Sequence, residues 1–120
     1  MPEVQVRYKS NVPSIMVDHL CRDVLPKEVA AALHTPDMPE ARLSSANIQV
    51  WADPVGLFDV QSVDVAVIVD ANDYPPRRAK LEIAKEHLLN KIDEALTTRE
   101  SKFSSNIKVR LTLGAFGESK

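Results

Sequence analysis

Glycine and cysteine are scarce in this 120-residue chain, with three of the first and one of the second. Glycines at 56, 114 and 117 cannot build a phosphate-cradling Gly-x-Gly-x-x-Gly loop. A lone Cys21 rules out an intrachain disulfide and fits a reducing compartment. No apolar run approaches membrane-spanning length, and the start lacks the basic-then-apolar pattern of a secretory signal. Basic excess is missing too. Fifteen Lys and Arg stand against 17 Asp and Glu, for a net charge of −2 and a pI near 5.9. That balance argues against nucleic acid or an acidic membrane surface as partner. His19, His34 and His87 lie far apart without ligand-spaced carboxylates or cysteines, and no Ser-centred elbow occurs, so neither metal nor cofactor is expected. Together these absences point to a cytoplasmic chain folded as one domain, 1–120, whose 44% hydrophobic residues suffice for a core.

What is present is periodic. Residues 3–8 (EVQVRY) alternate, with Val4, Val6 and Tyr8 opposed to Glu3, Gln5 and Arg7. Residues 47–52 (NIQVWA) and 106–113 (NIKVRLTL) alternate likewise, and 62–70 (SVDVAVIVD) reads as a more buried strand. Between them, apolar residues recur at helical spacing from Ser14 to Leu33, where Pro26 is expected to break or kink the helix. A second helix is expected from about Pro76 to Leu96, with Leu81, Ala84, Leu88, Ile92 and Ala95 as its stripe. Cys21 falls on the first stripe and reads as core.

The two halves overlay. LSSANIQVWA (43–52) matches FSSNIKVRLT (103–112), and VQV after Glu3 matches VAV after Asp64. The chain is therefore strand–helix–strand written twice, over 2–52 and 62–113, with DPVGLFD (53–59) as loop or short hairpin strand between the units. The expected fold is α/β (α+β): two right-handed β-α-β units forming a four-stranded mixed sheet with both helices on one face. A ferredoxin-like antiparallel sheet has the same element order, so order alone does not separate the two. The uncovered face would carry Gln5, Arg7, Gln49, Trp51, Ala66, Ile68, Lys108 and Arg110. A homo-oligomer with facing sheets would cover it. A solvated face, polar by ordinary alternation, is the plainer reading.

A proline at position 2 has a plain explanation, since the first residue of a strand needs no donor. The length, the tandem repeat and the opening MPEVQVRY nevertheless resemble the tautomerase superfamily, in its one-chain trimeric branch of 5-carboxymethyl-2-hydroxymuconate isomerase and macrophage migration inhibitory factor type. The resemblance implies a homotrimer in which Pro2, exposed as a secondary amine once Met1 is removed, is the catalytic base. The chemistry suits that residue. A base works best with a pKa near ambient pH, α-amines start at about 7.7–8.0, and an apolar pocket or nearby cations lower them. A neutral Pro2 would take a proton alpha to a carbonyl and return it elsewhere on the conjugated system. Val63 stands where a second such proline would fall.

Substrates of the family are carboxylated enols or keto acids, so cationic groups are sought next. Arg77 and Arg78 sit at the expected start of the second helix, where they and free backbone N–H groups would bind a carboxylate. Their plainer reading is a pair of solvated surface arginines. The family's strand arginine falls here at Gln49, with Lys108 as its repeat mate and Arg42 in the preceding loop, and SNVPS (10–14) lacks the arginine that follows the first strand. Trp51 is placed to wall the pocket or an interface, and Phe116 to close it from a neighbouring subunit. HTPDMPEARLSS (34–45) is a proline-punctuated loop that covers the pocket or simply connects elements. The expected function is a cofactor-independent tautomerase or isomerase acting on a small carboxylate. The alternative is a non-catalytic oligomer or binding protein on the same scaffold.

Overall fold

Alternation and helical spacing in the chain become four strands and two interrupted helices in a computed structural model that describes residues 2–34, 43–56, 59–96 and 106–114. Strand β1 is Glu3–Tyr8, and helix α1, Ser14–His19, follows it. A π-helical turn, Leu20–Val24, leads into helix α2, Leu25–Leu33. A short 3-10 turn, Ser45–Asn47, opens strand β2, Gln49–Pro54. Strand β3 is Val65–Asn72, helices α3 (Pro75–Ala79) and α4 (Leu81–Leu96) follow, and strand β4 is Ile107–Gly114.

The expected helix over 14–33 is not broken at Pro26 but widened just before it. Leu25 N–H donates to the Leu20 carbonyl five residues back, and Pro26 then enters the first turn of α2, where its missing donor costs nothing. The core explains the extra residue. Met16, Leu20, Leu25, Val29 and Leu33 are all buried, and the single five-residue step in that stripe falls on the π turn. The second expected helix is divided as well. Lys80, at φ −110° and ψ 17°, separates α3 from α4, so the apolar stripe of Ala84, Leu88, Ile92 and Ala95 belongs to α4 alone.

Sheet order is β2-β1-β3-β4. β1 runs parallel to β2, β3 runs parallel to β4, and β1 and β3 meet antiparallel at the centre. The sheet is therefore mixed, which excludes the all-antiparallel ferredoxin-like arrangement. Val6 pairs with Val67 across the central seam, and these two are repeat mates in the sequence overlay. The two β-α-β units thus meet about a local two-fold axis through that pair. Strand bounds shift by a residue or two from expectation: Asp53 and Pro54 extend β2, where an edge strand tolerates a missing donor.

One face is covered. Val4 and Val6 on β1 and Val65, Val67, Val69 and Ala71 on β3 pack with the buried residues of α2 and α4. Each large apolar side chain buried there contributes roughly 1.5–3 kcal/mol, before conformational entropy is set against it. Cys21 lies half-buried against this core. The opposite face is open and reads in rows across the strands: Gln49–Glu3–Asp70–Thr112, then Trp51–Gln5–Ile68–Arg110, then Asp53–Arg7–Ala66–Lys108. No helix among the described residues is long and apolar enough to cross a membrane.

Candidate active site

Topology brings Pro2 and the Arg77–Arg78 pair to one end of the sheet. β1 begins where β3 finishes, because Glu3 pairs with Asp70, and Pro2 stands level with Ala71. Pro2 is buried, and its carbonyl accepts the Gln49 N–H at 3.3 Å, which ties the chain start to the first residue of β2. Immediately past β3, the segment Tyr74–Lys80 brings Arg77, Arg78 and Lys80 to this same end.

The three cations have different duties. Arg77 is 2% exposed. Its Nε donates to the Leu33 carbonyl at 3.1 Å and its Nη1 to the Asn72 carbonyl at 3.2 Å, and its guanidinium lies 4.9 Å from the centre of the Tyr74 ring. Burial holds its pKa below the ordinary arginine value. Lys80 Nζ donates to the His34 carbonyl at 2.6 Å, and burial, then the neighbouring Arg77, lower its pKa. Arg77 and Lys80 thus satisfy carbonyls at the C-terminus of α2, where cations are favoured by the helix dipole. Arg78 points outward, exposed, with Nε 3.0 Å from Asp73 Oδ1. It is the arginine of the pair that a solute meets first. The expected cradle of backbone N–H groups is reduced, since Pro75 and Pro76 carry none and Arg78 N–H donates to the Tyr74 carbonyl.

The remaining candidates are spread over the open face. Gln49 is exposed beside Glu3 at the Pro2 end, and Trp51, 46% exposed, lies two residues further along β2. Lys108 is exposed in the row of Arg7 and Ala66, about 16 Å from the level of Pro2 along the strands. Within one chain it is therefore remote from Pro2. Met1, Arg42 and Phe116, like most of the 34–45 loop, lie outside the described residues. Lys80 was not anticipated, although the run PPRRAK places it directly behind both arginines. Cys21 is far from this end, and its thiol is pushed up to about 11 by burial and by Asp18. Among the described residues no group of three or more His, Cys, Asp or Glu could hold a metal ion.

Neither any family model nor any curated protein matches the sequence. Solved structures do match. A macrophage migration inhibitory factor-like protein from Entamoeba histolytica superposes over 98% of this chain and 95% of its own, at TM-score 0.61 and 10% identity. A 5-carboxymethyl-2-hydroxymuconate delta-isomerase covers 100% of this chain and 87% of its own, at TM-score 0.56 and 13% identity. A fused 4-OT described as a symmetric trimer covers 92% and 84%, at TM-score 0.59 and 14% identity. The chain has the tautomerase fold. In this tautomerase fold the paired β-α-β units account for the mixed sheet and for the placement of Pro2 and the segment after β3 at the same end of it.

Proposed function

We propose that the chain is a cofactor-independent tautomerase or isomerase that moves a proton on a small carboxylated enol or keto acid. After removal of Met1, the Pro2 nitrogen takes a proton alpha to the carbonyl and returns it along the conjugated system. Arg78 holds the substrate carboxylate, Gln49 and Trp51 line the approach, and Arg77 supports the site from within. The protein works in the cytoplasm as a homo-oligomer, a trimer by analogy with the fused 4-OT. The observation that carries this reading is the position of Pro2, buried at the sheet end that also bears Arg77, Arg78 and Lys80. Burial of Pro2 and cations at the same end of the sheet both favour the neutral amine that a base requires.

The test is ketonisation of phenylenolpyruvate by protein whose N-terminus has been verified by intact mass. Processed wild type is expected to accelerate it and a Pro2→Ala variant to lose most of the acceleration. Equal, slow rates in both would remove the catalytic reading. A second reading, a non-catalytic oligomer or binding protein, draws support from Arg77, whose guanidinium is engaged by two backbone carbonyls. Retention of Met1 in the native protein would favour it, because an acylated Pro2 nitrogen is not a base.

A further inference from the structure

The last residue of β3 carries an amide oxygen that no neighbour satisfies. Asn72 Oδ1 is buried and has no hydrogen-bond partner among the described residues. Buried polar atoms in that state are rare, because the hydrogen bond they lack costs free energy. The groups around it are already committed. Arg77 donates Nη1 to the backbone carbonyl of Asn72 and Nε to that of Leu33. Arg78 is paired with Asp73, and Lys80 with the His34 carbonyl. Gly114, level with Asn72 on β4, has no side chain to offer. Glu3 and Asp70, in the next row of the same face, are carboxylates that only accept when ionised.

The strand register supplies a donor. Glu3 pairs with Asp70, so Pro2 stands level with Ala71, and the Pro2 nitrogen, on the side away from Glu3, faces the step from Ala71 to Asn72. Directly opposed Cα atoms in an antiparallel ladder lie about 4.5–5.5 Å apart, a gap that a short amide side chain bridges. We propose that Asn72 is a positioning residue for the Pro2 amine: its Oδ1 accepts the N–H of processed Pro2 and so fixes the direction of the lone pair. The proposal rests on the isomerase reading, because a Pro2 still joined to Met1 has no N–H to give.

A neutral secondary amine has one N–H and one lone pair. With the N–H held by Asn72, the lone pair is presented to the substrate and takes the proton alpha to the carbonyl. The resulting cation has two N–H groups. One stays on Oδ1 and the other returns its proton to the conjugated system, which leaves the amine neutral again. An acceptor binds the cation more strongly than the neutral amine, so Asn72 raises the affinity of Pro2 for a proton. Glu3 and Asp70 act in the same direction, whereas burial and Arg77 oppose it. Asn72 thereby keeps the amine basic in a setting that would otherwise strip it of protons.

Nitrogen-15 NMR of proline-labelled, full-length protein, with Met1 removal verified by intact mass, reads this directly. Of the eight prolines, only Pro2 then has a nitrogen that titrates. Asn72→Leu is expected to lower its midpoint by about one pH unit, a tenfold loss of proton affinity. Asn72→Ala should do the same should the leucine not be accommodated. Asn72→Asp is expected to raise the midpoint. The pH profile of phenylenolpyruvate ketonisation by the leucine variant should move with the midpoint, with kcat lowered and KM close to wild type. An unmoved midpoint in the leucine and alanine variants overturns the proposal whatever the aspartate does, since a carboxylate acts on an amine from further away. A raised KM with an unmoved midpoint overturns it too, and places the amide on the substrate instead. The expected shifts in a protein that does not accelerate ketonisation uphold the contact and remove the isomerase reading. Retention of Met1 in the native protein removes both.

Discussion

Arg77 Nε lies 3.1 Å from the carbonyl oxygen of Leu33, 44 positions earlier in the chain. One buried guanidinium therefore joins the end of the first crossover helix to the start of the second, and through Asn72 to the last residue of β3. Arg78, next in sequence, faces outward. The two arginines separate fold from ligand, and substitution should resolve them. Arg77→Ala is expected to lower stability by about 2–4 kcal/mol, since two carbonyls lose a charged donor in a buried setting. Arg78→Ala is expected to change stability by no more than about 0.5 kcal/mol. In the proposed reaction it should raise KM more than it lowers kcat. Urea titration and steady-state kinetics on both variants check the split.

Ile92 is fully buried, whereas Ile83 on the same helix is 73% exposed. Ile92→Ala should cost about 2–5 kcal/mol through lost burial and a residual cavity. Ile83→Ala should fall within about 0.5 kcal/mol of wild type. Thermal unfolding of the two variants side by side measures the difference.

Cys21 should be a slow thiol. Burial, then the Asp18 charge, push its pKa to about 11, so only about one molecule in a thousand carries a thiolate at pH 8. Alkylation by iodoacetamide at that pH is expected to run far below the rate of free cysteine and to rise as pH approaches 11. A rate already at its plateau at pH 8 would contradict the buried setting.

Asp59 should make folding acid-sensitive at one place. The Gly56 amide, then Arg7, hold its carboxyl below its ordinary value of 3.8. Its contribution is present above that value and is lost as pH falls through the lower folded value. The difference in melting temperature between wild type and Asp59→Asn is expected to be constant near neutrality and to shrink below about pH 4.

Alternation and helical spacing place all four strands, and the repeated Ser-Ser–Asn-Ile-x-Val exit shows that the crossovers come in equivalent pairs. What fixes the outer strands is different. Whether β2 lies beside β1 and β4 beside β3, as here, or the two exchange edges as in the ferredoxin-like order, depends on contacts between halves, which no local pattern encodes. The site was partly legible for the same reason. The tandem arginines draw attention as charges, but charge says nothing about direction, and Arg77 turns inward because Leu33 and Asn72 offer it carbonyls. Lys108 looks equivalent to Gln49 in the overlay, yet parallel pairing with β3 sets it in the row of Arg7.

The five-residue step between Leu20 and Leu25 has an engineering consequence. It makes the crossover one residue longer than a regular helix needs to seat the same side chains. Deleting Asp23 together with Pro26→Ala should therefore leave a folded protein with an uninterrupted helix and the same residues facing inward. Deleting Lys27 instead, with Pro26 retained, should turn Val29 and Leu33 away from the sheet and abolish folding. Tolerance to a change of length is concentrated in a single turn.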